Sequence, residues 1–388
     1  MTQLTLDQHV LVEKARRFTW EHLVPLENTV TQQGGIEPEQ ARILMRLGQE
    51  SKLFATNIDF QYGGVGLSTF ENVLIQEQLG VTKDVLIRRA TGNIYECLML
   101  GTAAQQERYL FPALKGKRWC SLAVSELEAG SDAASIKTCA TKSDQGWVLN
   151  GRKAYISDAE YSDYFIVAAK TAAELGAKGI SLFLVDKNVP GFSLGKSFNM
   201  MGFIGTSHNE LIFNQIHVEE DALLGEMNQG FKILCQTLGR ARLAKVAARG
   251  LGKCVRLLDL MTEHAKQRHQ FGKPIVETGN IRYILADCAI EIRAARALLW
   301  ETARRMDKGE SCREEISMLK VFVTELLGRV ADHAVQIFGA SGCHDGHLIE
   351  SFYRDARLFR IIDGTSEIHR NIIANSLIKQ GAPIIVDV

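Results

Sequence analysis

The sequence predicts an α+β fold in which a small antiparallel β-sheet domain lies between two helical domains. Apolar residues recur at helical spacing towards both ends of the chain, whereas between about 121 and 225 they alternate in short runs. Proline, which breaks helices, occurs only once between Pro190 and Pro383. We therefore expect a helical domain at 1–120, a β domain at 121–228 and a second helical domain at 229–388.

Each domain has its own pattern. In the first, Val12, Ala15 and Phe18 fall on one face of a helix, and a further amphipathic stretch runs from Glu71 to Gln78. Two longer stretches predict the helices of the last domain, at 231–271 and 280–335. Runs rich in β-branched and aromatic residues, each followed by turn residues, predict the strands of the middle domain. These runs are Trp147–Leu149, Tyr164–Val167, Ile180–Val185 and Glu210–Phe213.

The composition limits the classes of function. The 388 residues are 46% hydrophobic and 23% charged, which is too apolar for a disordered chain. Because 45 basic residues balance 45 acidic ones, no net charge attracts nucleic acid or an anionic membrane. The chain contains no long uncharged apolar run, and its first residues lack the apolar region of a signal peptide. We therefore expect a cytoplasmic protein, with no nucleic-acid or membrane partner.

Three short motifs are discounted. Eight cysteines occur without a CxxC pair, and Cys343–His347 lacks the spacing of zinc ligands, so we expect no metal site. Gly191–Gly195 matches a nucleophile elbow in letters only, because no strand and helix flank it as that motif requires. Gly63–Gly66 lacks the third glycine of a dinucleotide fingerprint and is interpreted as a loop.

Four other segments have both a structural and a functional interpretation. Around Ser131, a Gly-Ser pair between acidic residues forms either a turn or a loop whose N–H and hydroxyl groups meet a ligand. Tyr155 and Ser157 end a strand either at the surface or against a planar cofactor. Arg268, three residues before Phe271, either complements a helix dipole or binds a nucleotide phosphate.

Asp363 is the fourth case. Because it precedes Gly-Thr-Ser-Glu, its side chain either caps the last helix or acts as a general base.

Together and in this order, these segments resemble the flavin-dependent acyl-CoA dehydrogenase family. The resemblance extends from the Tyr62–Ser68 loop to the final helix. It implies the helix–sheet–helix fold, FAD as cofactor, and a homodimer or homotetramer in which two subunits complete each FAD site. It also implies an acyl thioester substrate and an electron-transferring flavoprotein as electron partner.

The resemblance assigns roles to individual residues. Ser131 is expected near both flavin and substrate, and Arg242 and Gly364 near the substrate. The other residues expected at the FAD are Val124, Ser125, Tyr155, Ser157, Arg268, Phe271, Gln336, Gly339, Thr365 and Glu367. The backbone N–H of Glu367 is further expected to polarise the thioester carbonyl.

The sequence also departs from the family pattern. The glutamate that usually removes the substrate α-proton is here Asp363, whose side chain is shorter by one C–C bond, about 1.5 Å. The base position that some members use on an earlier helix is occupied by Ala241. The second glycine of the nucleotide loop is replaced by Ala340, and Thr278-Gly279 occupies the place of a usual Phe-Gln pair.

The expected activity is the α,β-dehydrogenation of an acyl-CoA, with Asp363 as the base. Two alternatives stay open, namely a thioester carried by a protein or a non-oxidative elimination such as a desulfination, and a catalytically silent flavoprotein subunit. Arg88 and Arg89 lie where the family lines the acyl pocket. They form either an exposed basic surface or a site for an anionic acyl tail.

Overall fold

The computed structural model describes residues 3–381, so the last seven residues of the expected domain 229–388 lie outside the described chain. The first part is helical, as predicted. Helix α1 begins at a capping box in which the Thr5 hydroxyl accepts from the Gln8 N–H at 3.2 Å and the Gln8 side chain accepts from the Thr5 N–H at 3.1 Å. The helices here are α1 Leu6–Phe18, α2 Glu27–Gln33, α3 Pro38–Glu50, α4 Thr69–Leu79, α5 Asp84–Thr91, α6 Ala103–Gln105 and α7 Phe111–Leu114.

The middle part is a sheet of eight strands. Seven follow the order β6-β7-β3-β2-β4-β5-β8, and β1 pairs with β4 in parallel. The sheet is therefore mixed, which corrects the expectation of a purely antiparallel sheet: β1 enters from the helical domain beside a strand that comes later in the chain. The strands are β1 Cys120–Ala123, β2 Cys139–Ser143, β3 Gly146–Ser157, β4 Tyr164–Lys170, β5 Ile180–Asp186, β6 Phe192–Ser197, β7 His208–Val218 and β8 Leu223–Leu224.

Strand β4 shows how the sheet is held between two layers. Tyr164 and Ile166 pack into a core shared with the N-terminal helices, whereas Phe165 and Val167 pack into a second core on the other face. This alternation is what a strand buried on both faces requires.

The C-terminal part is a helical bundle. A π-helical segment, Arg242–Ala248, joins α8 to α9 without a break. The predicted helix at 231–271 ends earlier, at Gln267, because a short hairpin follows. The predicted stretch 280–335 is two helices, separated around Gly309, whose φ of 82° ends the first of them. The elements are α8 Gly230–Ala241, α9 Arg249–Gln267, β9 His269–Gln270, β10 Lys273–Pro274, α10 Gly279–Asp307, α11 Arg313–Phe338, α12 Leu348–Phe359 and α13 Ser366–Gln380.

Helix α9 packs closely against the end of α4. A Cβ on Gly252 would lie 2.2 Å from the carbonyl oxygen of Glu77, so only glycine permits this approach. Buried ion pairs tie the same region together, because Asp84 lies 3.3 Å from Arg249 and 2.8 Å from Lys253. Helices α8 and α9, with the π-helical segment between them, form one continuous rod. The space between this α8–α9 rod, α4 and α5 is therefore rigidly bounded. Within residues 3–381, no helix is long and apolar enough to cross a membrane.

Candidate active site

Asp363 lies in the loop between α12 and α13, in the left-handed region with φ of 53°, and Gly364 follows with φ of 99°. The carbonyl oxygen of Asp363 accepts a hydrogen bond from Arg242 Nε at 2.7 Å. His369 Nε2, 3.3 Å from this oxygen, donates to it when it carries the ring proton. Burial, followed by the charge of Arg242, lowers the pKa of His369 to about 4, so the ring is neutral at pH 7.

The interpretation of Asp363 as a helix cap is wrong. Helix α13 begins at Ser366, and the residue at its N-cap is Thr365, whose hydroxyl accepts from the Ile368 N–H at 3.4 Å. Among the described residues, the carboxylate of Asp363 has no hydrogen bond and no ion pair. The side chain is half-buried and is therefore free to react with a bound molecule.

The charge of this carboxylate acts on three cations. Burial lowers the pKa of Arg242, of Lys245 (to about 8) and of Lys320 (to about 8), and in each case the nearby negative charge of Asp363 opposes that shift. Lys320 is held by a hydrogen bond of 3.0 Å from its Nζ to the Arg360 carbonyl. Arg242 is expected at the substrate, and in this structure it donates a hydrogen bond to the Asp363 carbonyl. Gly364, also expected at the substrate, lies beside the Arg242 guanidinium.

Arg88 and Arg89 both point inward, so the interpretation as an exposed basic surface is wrong. Arg88 lies 2.5 Å and Arg89 3.0 Å from the carboxylate of Asp158, which directly follows Ser157. The Arg89 side chain is only 1% exposed and lies over the ring of Tyr161 at 3.9 Å. It is enclosed by protein in this structure, and its contact with substrate stays a prediction. Arg88 is 19% exposed, and its Nε is buried without a hydrogen-bond partner among the described residues.

A polar pocket adjoins this region, and the motifs did not reveal it. Its lining includes the end of α4, the Thr91–Gly92 bend and the α8–α9 rod. Lys245 lines it, and its Nζ donates to Asn93 Oδ1 at 3.0 Å. The signal in the sequence was a single lysine within the apolar run Leu243–Ala248. The other lining side chains are Thr56, Asn57, Asn72, Gln76, Glu96, Arg240, Ala241, Ala244 and Arg249.

The Val124–Ser131 loop is held by one buried carboxylate. Glu126 accepts from the N–H groups of Lys137 at 2.7 Å and Thr138 at 3.0 Å, and from Lys153 Nζ at 2.8 Å. Lys153 also donates to the Val124 carbonyl at 2.9 Å. Burial would raise the pKa of Glu126, but the charge of Lys153 holds it below its ordinary value. Ser125 is half-buried in this loop, and Ser131 is exposed at its end.

Tyr155 and Ser157 end strand β3 at an irregularity. The register with β7 shifts between Lys153 and Ile156, and Tyr155 between them has φ of 60°. Such a bulge redirects a side chain, and the ring of Tyr155 lies 4.4 Å from that of Phe198. The carbonyl of Ser157 accepts from the Ser121 hydroxyl at 2.6 Å, which fixes the strand end.

Arg268 and Phe271 belong to the hairpin after α9. Phe271 is completely exposed at the tip with φ of 50°, and the guanidinium of Arg268 has no partner within residues 3–381. Gln336 and Gly339 are exposed at the end of α11, where Phe338 stacks on His264 at 4.1 Å, one turn before Arg268. These residues form a group at the end of the bundle, and no recorded contact within the described chain joins them to the group around Asp363.

Both groups fit a flavin dinucleotide. Hydroxyl and backbone groups at Ser125, Ser157 and Thr365 are suited to the polar edge of a flavin ring. The unpaired guanidinium of Arg268 is suited to a pyrophosphate, and the exposed ring of Phe271 to an adenine. A second subunit is one way to bring these two groups together.

The discounted motifs have structural roles. Gly191, with φ of 88°, forms a turn that leads into β6, so no nucleophile elbow exists there. The His347 side chain accepts from the Ile349 N–H at 3.2 Å and caps α12, and the Cys343 thiol beside this cap is free. No group of three His, Cys, Asp or Glu side chains suited to a metal ion is found in residues 3–381.

Comparison with known proteins agrees with this geometry. Family models match for the acyl-CoA dehydrogenase N-terminal domain at 5–117, middle domain at 121–216 and C-terminal domain at 228–378. The chain is 35% identical to a 3-(aryl)acrylate reductase of Clostridium sporogenes over 96% of its own length and 99% of that protein. It is 33% identical to the caffeyl-CoA reductase-Etf complex subunit CarC of Acetobacterium woodii, over 96% and 99%.

The chain belongs to the acyl-CoA dehydrogenase family. Butyryl-CoA dehydrogenase from Megasphaera elsdenii superposes with a TM-score of 0.88 at 31% identity, over 97% of this chain and 100% of that one. A structure of PigA with FAD and proline superposes at 0.89 with 26% identity, over 97% and 99%. The α+β fold and the family resemblance are thus confirmed. The protein is a flavoprotein oxidoreductase of the acyl-CoA dehydrogenase type, and FAD is its cofactor.

Proposed function

We propose that this protein catalyses oxidation of the Cα–Cβ bond of an acyl-CoA thioester, with Asp363 removing the α-proton. One observation carries the assignment of the base. The carboxylate of Asp363 is half-buried and unpaired in the described chain, whereas Arg242 and His369 hold its backbone. A carboxylate that is fixed in place but not neutralised by a partner is suited to general-base catalysis.

The cofactor and the site residues have separate roles in the proposed reaction. FAD supplies the acceptor that takes the β-hydrogen with its electron pair. Asp363 takes the α-proton, and negative charge then develops on the thioester oxygen. The N–H of Glu367, in the first turn of α13, lacks an intrahelical acceptor and is suited to support that charge, whereas the Ser366 and Ile368 N–H groups already donate to the Arg360 carbonyl and the Thr365 hydroxyl. The loop at Ser131 and the strand end at Ser157 would hold the flavin at the opposite side of the substrate.

The same site supports the reverse reaction. The similar proteins of Clostridium sporogenes and Acetobacterium woodii are named as reductases. Reduction of an α,β-unsaturated thioester requires the same groups, with a protonated Asp363 returning the α-proton. The electron partner decides the direction, and we propose an electron-transferring flavoprotein, since the name of one similar protein includes an Etf complex.

We further propose a homodimer or homotetramer. Tyr283 and Ile290, seven residues apart on α10, are 72% and 65% exposed, and Phe271 is completely exposed near the start of that helix. An exposed apolar stripe of this kind is typical of a subunit interface. A cytoplasmic location and domain boundaries at 120/121 and 228/229 complete the proposal.

The test of the function is Asp363→Asn. This variant keeps its FAD and its fold but loses the anaerobic bleaching of the flavin by an acyl-CoA, with a rate lower by about 100-fold or more. Stopped-flow absorbance at the flavin band measures the rate. Bleaching of the variant at the wild-type rate would show that Asp363 is not the base. It would favour an elimination or another base. A purified protein that takes up no FAD on reconstitution would contradict the flavoprotein assignment as a whole.

A further inference from the structure

His369 is buried between helix α11 and the backbone of Asp363. Its side chain lies near the start of α13 and is 1% exposed. Ring atom Nε2 lies 3.3 Å from the Asp363 carbonyl oxygen, and Nδ1 lies 3.1 Å from the Ser317 hydroxyl oxygen on α11. A Cβ on Gly364 would lie 3.0 Å from Nε2, so the ring also packs against the peptide that follows Asp363.

The Ser317 hydroxyl decides which ring nitrogen of His369 carries the proton. This hydroxyl has one hydrogen and two acceptors within reach, namely Nδ1 and the Arg313 carbonyl oxygen at 3.0 Å. If the hydrogen went to Arg313, Nδ1–H would have to donate to Ser317. The bare Nε2 would then face the Asp363 carbonyl oxygen, and two lone pairs would meet in a buried place, which is unfavourable.

The other arrangement gives each of these groups a partner. The Ser317 hydroxyl donates to Nδ1, and Nε2–H donates to the Asp363 carbonyl. The Arg313 carbonyl does not need the hydroxyl, because Arg313 begins α11 and its oxygen accepts the N–H of Ser317 four residues later. Burial and the charge of Arg242 lower the pKa of His369 to about 4, so the ring has a single N–H at pH 7 and only one of the two arrangements exists at a time.

The hydrogen bond from His369 adds a second donor to the Asp363 carbonyl. Arg242 Nε donates to the same oxygen at 2.7 Å, and an oxygen with two lone pairs accepts both. The carbonyl belongs to the peptide after Asp363, so two donors set the ψ angle of this residue and the direction in which its carboxylate leaves the backbone. Because φ of Asp363 is 53°, a sparsely populated conformation, the surrounding structure has to hold it.

We propose that His369 is a positioning residue for the reaction, and that its Nε2–H, oriented by the Ser317 hydroxyl, holds the Asp363 backbone so that the carboxylate meets the α-carbon of the substrate. His369 itself stays neutral and exchanges no proton with the substrate. This inference rests on the proposed function, since it requires Asp363 as the base.

The experiment compares variants of the FAD-loaded protein by anaerobic bleaching of the flavin with butyryl-CoA and with 3-phenylpropanoyl-CoA. His369→Gln keeps an N–H for the Asp363 carbonyl and an oxygen for Ser317, whereas His369→Leu keeps neither. We expect the Leu variant to bleach about tenfold or more slowly at saturating substrate, because a misplaced base slows proton transfer. The half-saturating concentration should stay as in wild type, and the Gln variant should recover most of the rate.

Ser317→Ala tests the group that orients the ring. We expect bleaching about fivefold slower than wild type, the value of one hydrogen bond. Thr302→Val is the matched control, because the Thr302 hydroxyl is 1% exposed and donates to the Leu298 carbonyl at 2.9 Å within α10. This control should lower Tm without changing the rate. Solid-state NMR of protein labelled with ¹⁵N-histidine should place the His369 proton on Nε2, the signal being assigned by its loss in His369→Gln.

Each result decides one step of the inference. Wild-type bleaching by His369→Leu would overturn the positioning role and leave Asp363 as the proposed base. A Gln variant as slow as the Leu variant would show that the ring does not act through this hydrogen bond. A proton on Nδ1, or a wild-type rate in Ser317→Ala, would overturn the role of Ser317. Failure of both thioesters to bleach the wild-type flavin would contradict the proposed function itself. Bound FAD and Tm report whether each variant is folded.

Discussion

The backbone of Asp363 explains why an aspartate serves here. Its φ of 53° lies in the left-handed region, which aspartate and asparagine tolerate better than longer side chains do. We expect Asp363→Glu to lower the free energy of unfolding by about 1 kcal/mol and to slow bleaching of the flavin by substrate. Thermal unfolding and anaerobic stopped-flow kinetics measure the two effects. If the Glu variant were as stable as wild type and bleached its flavin faster, the backbone conformation would not be the reason for an aspartate at this position.

The cap of α13 gives a second prediction for single residues. The Thr365 hydroxyl accepts from the Ile368 N–H, so Thr365→Ala removes the side-chain acceptor at this helix start. We expect a loss of about 1 kcal/mol of stability, seen as a lower Tm. Asp363→Asn, two residues earlier, should leave Tm unchanged. If both variants lowered Tm equally, Asp363 would also contribute to the cap of α13.

The loop before β2 depends on one buried ion pair. Glu126 is 9% exposed and Lys153 is fully buried, and together they hold the loop that includes Ser125 and Ser131. Glu126→Gln leaves the lysine charge without a counter-charge, which is expected to cost about 3 kcal/mol of stability and to weaken FAD retention. Because the pKa of Glu126 is held below its ordinary value, the stability from this pair is present at neutral pH and is lost as the pH falls below the ordinary carboxyl range.

Glu128→Gln is the control for this element. Glu128 pairs with Lys137 at the surface of the same loop, where the two side chains are about three-quarters exposed. Exposed pairs contribute little, so no measurable change in Tm or FAD content is expected. If both variants retained FAD equally, Glu126 would have no special role in holding the loop.

The sequence predicted elements whose pattern is local and missed those that depend on tertiary contacts. Helical and alternating spacing located the three regions, and motif order gave the family. The hairpin at Phe271 replaced the end of a predicted helix, because a residue with positive φ is not expected from helical periodicity. For Arg88 and Arg89 the sequence left an exposed surface and a site for an anionic tail both open, because the partner that buries them, Asp158, lies far along the chain. Lys245 was missed because one lysine in an apolar run has no motif.

At the scale of the whole molecule, the base Asp363 and the residues expected to bind the nucleotide, Arg268 and Phe271, lie in separate parts of one chain. Asp363 lies in the loop between α12 and α13, whereas Arg268 and Phe271 belong to the hairpin after α9 at the end of the bundle. A completely exposed phenylalanine with φ of 50° is unfavourable for two reasons. Its apolar ring remains in contact with water, and its backbone is strained. Such a residue is best explained by a contact that forms only when a second subunit and the cofactor are in place.

This leads to a prediction for the assembly. Phe271→Asn relieves the backbone strain, since asparagine tolerates this φ, and removes the ring. The isolated chain should therefore be as stable as wild type or more so, while FAD retention falls and the oligomer dissociates at higher concentration, because ligand binding and association are linked. Gel filtration across a dilution series and the FAD-to-protein absorbance ratio measure both. Phe60→Asn, at a ring that is 82% exposed in the N-terminal domain, is the control and should change neither quantity. If Phe271→Asn holds FAD and its oligomeric state as wild type does, the hairpin does not form part of a shared cofactor site.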